Sequence, residues 1–240
     1  MDEGYTKEYR LLHESHFWWR AREDFVEDIL RSLAREQGFG PILDVGCGDG
    51  LGFDVWRRYG EPEGVEPDAG ALSCLGRSKG LVHQVPFGPA FSPGKRYGLI
   101  LMLDSLEHMP DSGAVLGRAR ELLVADGWLL ITVPAFLWLW TSHDDLNEHV
   151  TRFTKQTLRA ELEAAGFQVA TLRYFYQWLV PCKLAARARE HLGKRATRPP
   201  SLPPRWLNRL AYGLSRLEWS TYGRTFQMCG SSLLALARHG

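Results

Sequence analysis

Cysteine is scarce in this 240-residue chain: Cys47, Cys74, Cys182 and Cys229 are scattered, and no two stand in CxxC spacing. That excludes a disulfide framework or a zinc knuckle as the organising device and makes a reducing compartment the expected one. Long apolar runs are missing as well. The longest, Trp128 to Trp140, has 13 residues and contains Pro134, short of the roughly 20 that cross a bilayer. Met1 to Arg10 is charged and carries no signal-peptide core, so a cytoplasmic location is expected. There is no internal repeat and no recognised RNA-binding module, which leaves nucleic acid weakly supported as a partner.

What is present is a chain with 45% apolar residues, enough for a large packed core. The net charge of +1 conceals a split: residues 1–173 hold 18 Lys/Arg against 26 Asp/Glu, while residues 174–225 hold 10 against 2. The later segment therefore differs in kind from the body.

Helix and strand patterns alternate. Phe25, Val26, Ile29, Leu30, Leu33 and Ala34 share one face of a helix expected over 22–37. Ile42–Val45 reads as a buried strand, followed by a helix through Phe53, Val55 and Trp56. Gly64-Val65-Glu66 ends a second strand, before a helix over Asp68–Arg77 and a weak strand at Leu81–Val85. Tyr97–Leu103 is the clearest buried strand, and Gly113–Leu123 is a helix that turns at Asp126-Gly127 into strand Trp128–Val133. Thr154 caps a helix stopped by Gly166, and Phe167–Leu172 is a strand. Two helical patterns, 178–193 and 206–220, flank a proline-rich linker at Thr197–Pro204. Ser231–Ala237 fits helix or strand equally. Alternation of this kind implies a mostly parallel sheet with helices on both faces, with ligands beyond the carboxyl ends of the strands.

The first strand runs directly into glycines at 46, 48 and 50. Such a turn lets a ligand approach the backbone closely, and nicotinamide enzymes use one to cradle a pyrophosphate. Here the third glycine of GxGxxG is replaced by Leu51, and Asp44 stands two residues before the first glycine. A carboxylate there repels a diphosphate but suits a ligand carrying an ammonium and a sulfonium. Glu66, at the end of the second strand, is placed to bond ribose hydroxyls.

DVGCGDG with a downstream Glu-Pro-Asp, then ILMLDSLEHMPD, then LLVADGWLLITVP, resembles the class I S-adenosylmethionine-dependent methyltransferases of the broad ubiquinone and small-molecule group, in order over roughly residues 15–173. The resemblance implies an α/β Rossmann-like fold: a seven-stranded, mostly parallel sheet with its last strand antiparallel. Residues 1–173 would then be the cofactor-binding core with an N-terminal helical cap, 174–225 a basic helical insertion, and 226–240 the final strand. It also implies that S-adenosyl-L-methionine is the cofactor, with Asp44, Gly46, Cys47, Gly48 and Gly50 around its methionine part, Glu66 and Pro67 at the ribose, and Asp104 and Ser105 bordering the sulfonium. The acid that many relatives place at the third strand is missing, and Gln84 is the substitute candidate for the adenine amino group. In His16–Arg22, Arg20 could fork onto the cofactor carboxylate; the same segment could instead be a helix whose tryptophans pack on the sheet.

For proton removal from an acceptor, His143 and His149 are the candidates, because both follow the fifth strand and imidazole titrates near neutrality. Asp104, Glu107 and His108 share a face if helical and could hold a divalent ion, although no metal is expected. Residues 178–198 suit a lid over the acceptor pocket; the alternative is a basic amphipathic helix that meets a membrane surface or grips an anionic or lipid-linked acceptor. Two other classes stay open: a nicotinamide-dependent oxidoreductase, against which Leu51 and Asp44 speak, and a catalytically silent binding protein, which only a turnover assay excludes.

Overall fold

The apolar run Tyr97–Leu103 has side chains buried on both of its faces, as expected of a central parallel strand. It forms β4 of a seven-stranded sheet, together with β1 (Pro41–Val45), β2 (Glu61–Val65), β3 (Val82–His83), β5 (Leu123–Pro134), β6 (Phe167–Phe175) and β7 (Ser232–His239). The strand order is β3-β2-β1-β4-β5-β7-β6. The computed structural model describes residues 10–34, 36–70, 78, 80–193, 201–221 and 228–239.

β1 lies between β2 and β4, with Asp44 in register with Gly64 on one side and Leu101 on the other. Strand order reverses there, so a crevice opens at the carboxyl ends of these strands. β7 settles the ambiguity of the final apolar stretch. It enters antiparallel between β5 and β6 and buries Leu233, Leu234, Ala235 and Ala237. A segment flanked by strands on both sides and covered on both faces satisfies its backbone only as a strand.

Helices cover both faces. α1 (Phe17–Leu33) starts five residues before the expected position 22, because the His16 side chain accepts a hydrogen bond from the Trp18 amide and caps it. It also stops earlier than expected, at Leu33. Its inner side, Ala21, Phe25, Val26 and Leu30, packs with Trp56, from the short helix α2 (Phe53–Trp56), and with Trp219. On the opposite face α3 (Ser112–Leu122) and α5 (Lys155–Ala164) bury Val115, Leu116, Leu158 and Leu162. The short α4 (Ser142–Leu146) follows β5, while α6 (Val180–His191) and α7 (Arg205–Ser220) stand between β6 and β7.

Two expectations change. The Asp126-Gly127 turn is absorbed into β5, whose pairing with β4 jumps from Tyr97↔Leu123 to Leu99↔Trp128, a bulge rather than a break. The third strand shrinks to Val82–His83 at the sheet edge. Of the helix expected over Asp68–Arg77, residues 68–70 are not helical and 71–77 lie outside the described residues, as does the first half of the 197–204 linker. Among the described residues no helix is long and apolar enough to cross a membrane.

Candidate active site

Burial works against the charge of Asp44. Its carboxyl is pushed up to about 6 by burial, although a hydrogen bond from Trp56 Nε1 at 3.0 Å favours the ionised form. Such a group gains from a cationic partner. The turn after β1 lies against Ser105: Gly46 has φ +77°, and a Cβ added to it would stand 2.7 Å from Ser105 Cβ. Only glycine combines that conformation with that approach. The loop is tied to β2 through Glu66, whose Oε2 accepts from the Gly48 amide at 3.1 Å and whose Oε1 accepts from the Asp68 amide at 3.0 Å.

β4 ends at Asp104, a non-glycine residue with φ 55° whose amide donates to the Thr132 carbonyl at 2.8 Å. The strained turn aims its carboxylate back at α1, where it pairs with Arg22. The Arg22 guanidinium also lies over the Trp18 ring, 5.1 Å from its centre. These groups wall a cavity of about 1420 Å³ at the carboxyl ends of the strands.

Of the residues expected at the cofactor, the cavity brings together Asp44, Gly46, Cys47, Gly48, Glu66, Pro67, Asp104 and Ser105, and His143 and His149 line the same space. Three others it does not. Gly50 shapes the turn, donating to the Cys47 carbonyl at 3.0 Å, and faces Ser78 rather than the cavity. Arg20 is exposed and stacks on Tyr212, 4.7 Å from the ring centre. The inward guanidinium is Arg22, because two residues along a helix turn the side chain by about 200°. Gln84 is exposed beyond the short β3, and Pro86, Phe87 and Gly88 line the cavity in its place. This stretch of the cavity wall is thus apolar.

The other end carries a buried ionic network. Thr141 and Asp144 form a reciprocal cap at the start of α4. Arg152 forks onto Asp144 with contacts of 2.8 and 2.9 Å and donates to the Ala135 carbonyl at 2.9 Å. His149 Nδ1 lies 2.8 Å from Asp144 Oδ1. Burial of Asp144 would raise its pKa, but the hydrogen bonds from His149 and Arg152 and the Arg152 charge outweigh it and hold the carboxyl below the usual range. An ionised Asp144 places the His149 proton on Nδ1 and leaves Nε2 as the basic atom. His143 is differently placed: the Asn147 amide sits 2.8 Å from its Nδ1 and occupies that lone pair.

Glu107 is fully buried beside this network, and neither carboxyl oxygen has a hydrogen-bond partner. Burial, and then the Asp104 charge, raise its pKa well above normal. Ligand atoms of Glu107, His108 and His149 lie within 4.8 Å of one another. This set differs from the Asp104, Glu107 and His108 trio read from the sequence, because Asp104 turns to Arg22 and His149 comes in from a different segment. Lys183 on α6 also lines the cavity, and burial followed by the Arg152 charge pushes its ammonium down to about 8. Arg187, one helical turn further, donates to the Leu137 and Trp138 carbonyls. These two basic side chains of α6 thus face the protein.

A family profile for a methyltransferase domain matches residues 17–172. The chain belongs to that methyltransferase family. Its cofactor is S-adenosyl-L-methionine, and the nicotinamide reading falls away. A ubiquinone biosynthesis O-methyltransferase of Azorhizobium caulinodans is 29% identical over 179 residues, which cover 63% of this methyltransferase and 70% of that protein. Further proteins of that name match over about two fifths of their length, such as 41% in Bradyrhizobium. A solved methyltransferase from Archaeoglobus fulgidus superposes with a TM-score of 0.56 at 17% identity, over 96% of this chain and 99% of that one. The N-methyltransferase NodS of Bradyrhizobium japonicum, solved with S-adenosylhomocysteine, gives 0.58 at 14% identity, over 95% and 89%. At these identities the structures speak for the fold alone.

Arg22, Arg152, Asp144 and Lys183 were not singled out as site residues from the sequence. Arg22 had a usable signal, since it lies four positions after Trp18 on the helical face that turns inward. Lys183 had none, because its place depends on how α6 folds back over the cleft.

Proposed function

We propose that this methyltransferase alkylates a hydroxyl or amine of a small acceptor that carries an anionic group, with His149 as general base. The observation that carries the reading is the His149–Asp144 contact of 2.8 Å, held by Arg152, on the wall of the cavity that also contains Asp44 and Glu66. When bound, S-adenosyl-L-methionine supplies a methyl group on a sulfonium. Asp44 would pair with its ammonium, Arg22 would take its carboxylate beside Asp104, Glu66 would bond the ribose, and the apolar turn at Pro86–Gly88 would receive the adenine. His149 Nε2 accepts the proton of the acceptor O–H or N–H. The methyl group would pass to that oxygen or nitrogen, and the departing sulfur would keep the bonding electron pair. Asp144 and Arg152 act as positioning residues by fixing the imidazole tautomer.

Lys183 supports the anionic acceptor. Its ammonium faces the cavity without an acidic partner among the described residues, and a carboxylate or phosphate would supply the counter-charge. The contact that residues 178–198 could make with a membrane is not favoured by α6, whose Lys183 and Arg187 are committed inward.

A second reading rests on Glu107. Its orphaned oxygens, with His108 and His149, fit a divalent cation, which would polarise an acceptor oxygen directly. The test is a turnover assay that detects S-adenosylhomocysteine release across a panel of hydroxy- and amino-acids and their phosphate esters. His149→Ala should lose at least about 100-fold in kcat. Persistent turnover in this variant that collapses with a chelator would favour the cation, whereas undiminished, chelator-insensitive turnover would refute both.

A further inference from the structure

Helix α7 presents two faces. Its inner side, Ala211, Ser215 and Trp219, is buried against α1 and β6. The docking is specific: Asn208 Oδ1 accepts from the Phe17 amide at 2.8 Å, Ser215 Oγ accepts from Trp178 Nε1 at 3.1 Å, and Arg216 pairs with Asp28 at 2.9 Å. A helix held in this way cannot roll to hide its other side. On that side Trp206, Leu210, Leu214 and Leu217 repeat at three- and four-residue spacing with Leu207 beside them. Trp206 is 69% exposed, Leu210 52% and Leu217 55%. A contiguous apolar stripe on a rigid element marks a contact surface.

The charges along the stripe identify what it meets. Arg205 and Arg209 are exposed and have no acidic partner among the described residues. The two acids of residues 174–225 are both engaged: Glu190 accepts from the amide and hydroxyl of Ser142, and Glu218 accepts from the Trp178 amide. The rim is therefore cationic, with no acid of residues 174–225 free among the described residues to compensate it. Two copies packed stripe to stripe would bring no free acid of α7 to Arg205 and Arg209, since its one acid, Glu218, is held by the Trp178 amide. A polyanion without apolar depth would leave the leucines and Trp206 in water. An anionic lipid surface satisfies both, since the leucines enter the acyl boundary, Trp206 sits at headgroup level, and the arginines meet lipid phosphates.

We propose that the outer face of α7 is a docking surface for an anionic bilayer. The inference is independent of the acceptor chemistry and uses no residue of the cavity. The experiment is co-sedimentation of the full chain with vesicles of phosphatidylcholine alone and of phosphatidylcholine containing phosphatidylglycerol, at low and high salt. Wild type should bind the anionic vesicles, bind the neutral ones at least about tenfold less, and be released by salt. Leu210→Ser with Leu217→Ser should lose at least about tenfold in vesicle affinity, and Arg205→Glu with Arg209→Glu a similar amount. Circular dichroism melting of each variant shows that the fold is retained, and S-adenosylhomocysteine affinity should be unchanged. Equal binding of wild type and leucine variants would overturn the proposal. So would a wild-type dimer that the same substitutions convert to monomer, or heparin binding without vesicle binding.

Discussion

Arg22 and Arg20 differ only in their phase on α1, and that phase separates two outcomes. Arg22→Ala removes a charge-assisted contact at the cavity wall and should weaken S-adenosylhomocysteine binding roughly tenfold or more, whereas Arg20→Ala should leave it within about twofold; isothermal calorimetry reads both. Asp44 gives a pH dependence of definite sign. Burial pushes its carboxyl up to about 6, and only the ionised form pairs with the ligand ammonium. Affinity should be flat above about pH 7 and fall as the pH drops through 6, approaching tenfold per unit. Asp44→Asn should be weak and level across the same range. Asp144→Asn leaves Arg152 without its fork partner and His149 without its orienting carboxylate; kcat should fall by about 100-fold or more with KM changing little. Asp44 and Glu66 were legible because each stands at the end of a short strand, Asp44 just before the glycine turn, which fixes their position locally. Gln84 misled because the edge strand stops at His83, so the chain leaves the cavity wall before reaching it.

At the scale of elements, β1 and β4 could be read directly, since each is a short apolar run bounded by glycine, proline or acid, whereas the β7 segment fitted helix or strand on periodicity. What could not be read was how separated elements meet. His149 and Glu107 approach to 4.0 Å only because the loop after α4 folds back onto the end of β4, with the Val150 amide donating to the Glu107 carbonyl at 2.9 Å. No periodicity encodes that return. The α1–α7 pairing is of the same kind. Trp219 stacks on Phe25 with ring centres 4.4 Å apart, and the Arg173 guanidinium lies 3.6 Å from the centre of its ring. Trp219→Ala should therefore cost about 3–5 kcal/mol of stability, read as a lower urea midpoint, because a large buried ring is removed from between two elements that cannot collapse around it. S-adenosylhomocysteine affinity should fall only as far as α1 loosens.

Across the whole molecule, the acidic body and basic late segment seen in the composition become a division of labour. The sheet and its glycine turn form the floor of the cavity, and α1 supplies Arg22 and the aromatic wall. α6 reaches over the acceptor end with Lys183, while α7 faces outward. A methyltransferase with this arrangement should hold its cofactor in one orientation, amino-acid end at Asp44 and sulfur toward the His149 side. A crystal structure with S-adenosylhomocysteine bound tests that most directly. The account predicts the ligand ammonium on Asp44, its ribose hydroxyls on Glu66, and its sulfur opening onto the space bounded by His149 and Lys183. A ligand seated elsewhere, or one whose sulfur faces away from His149, would contradict it.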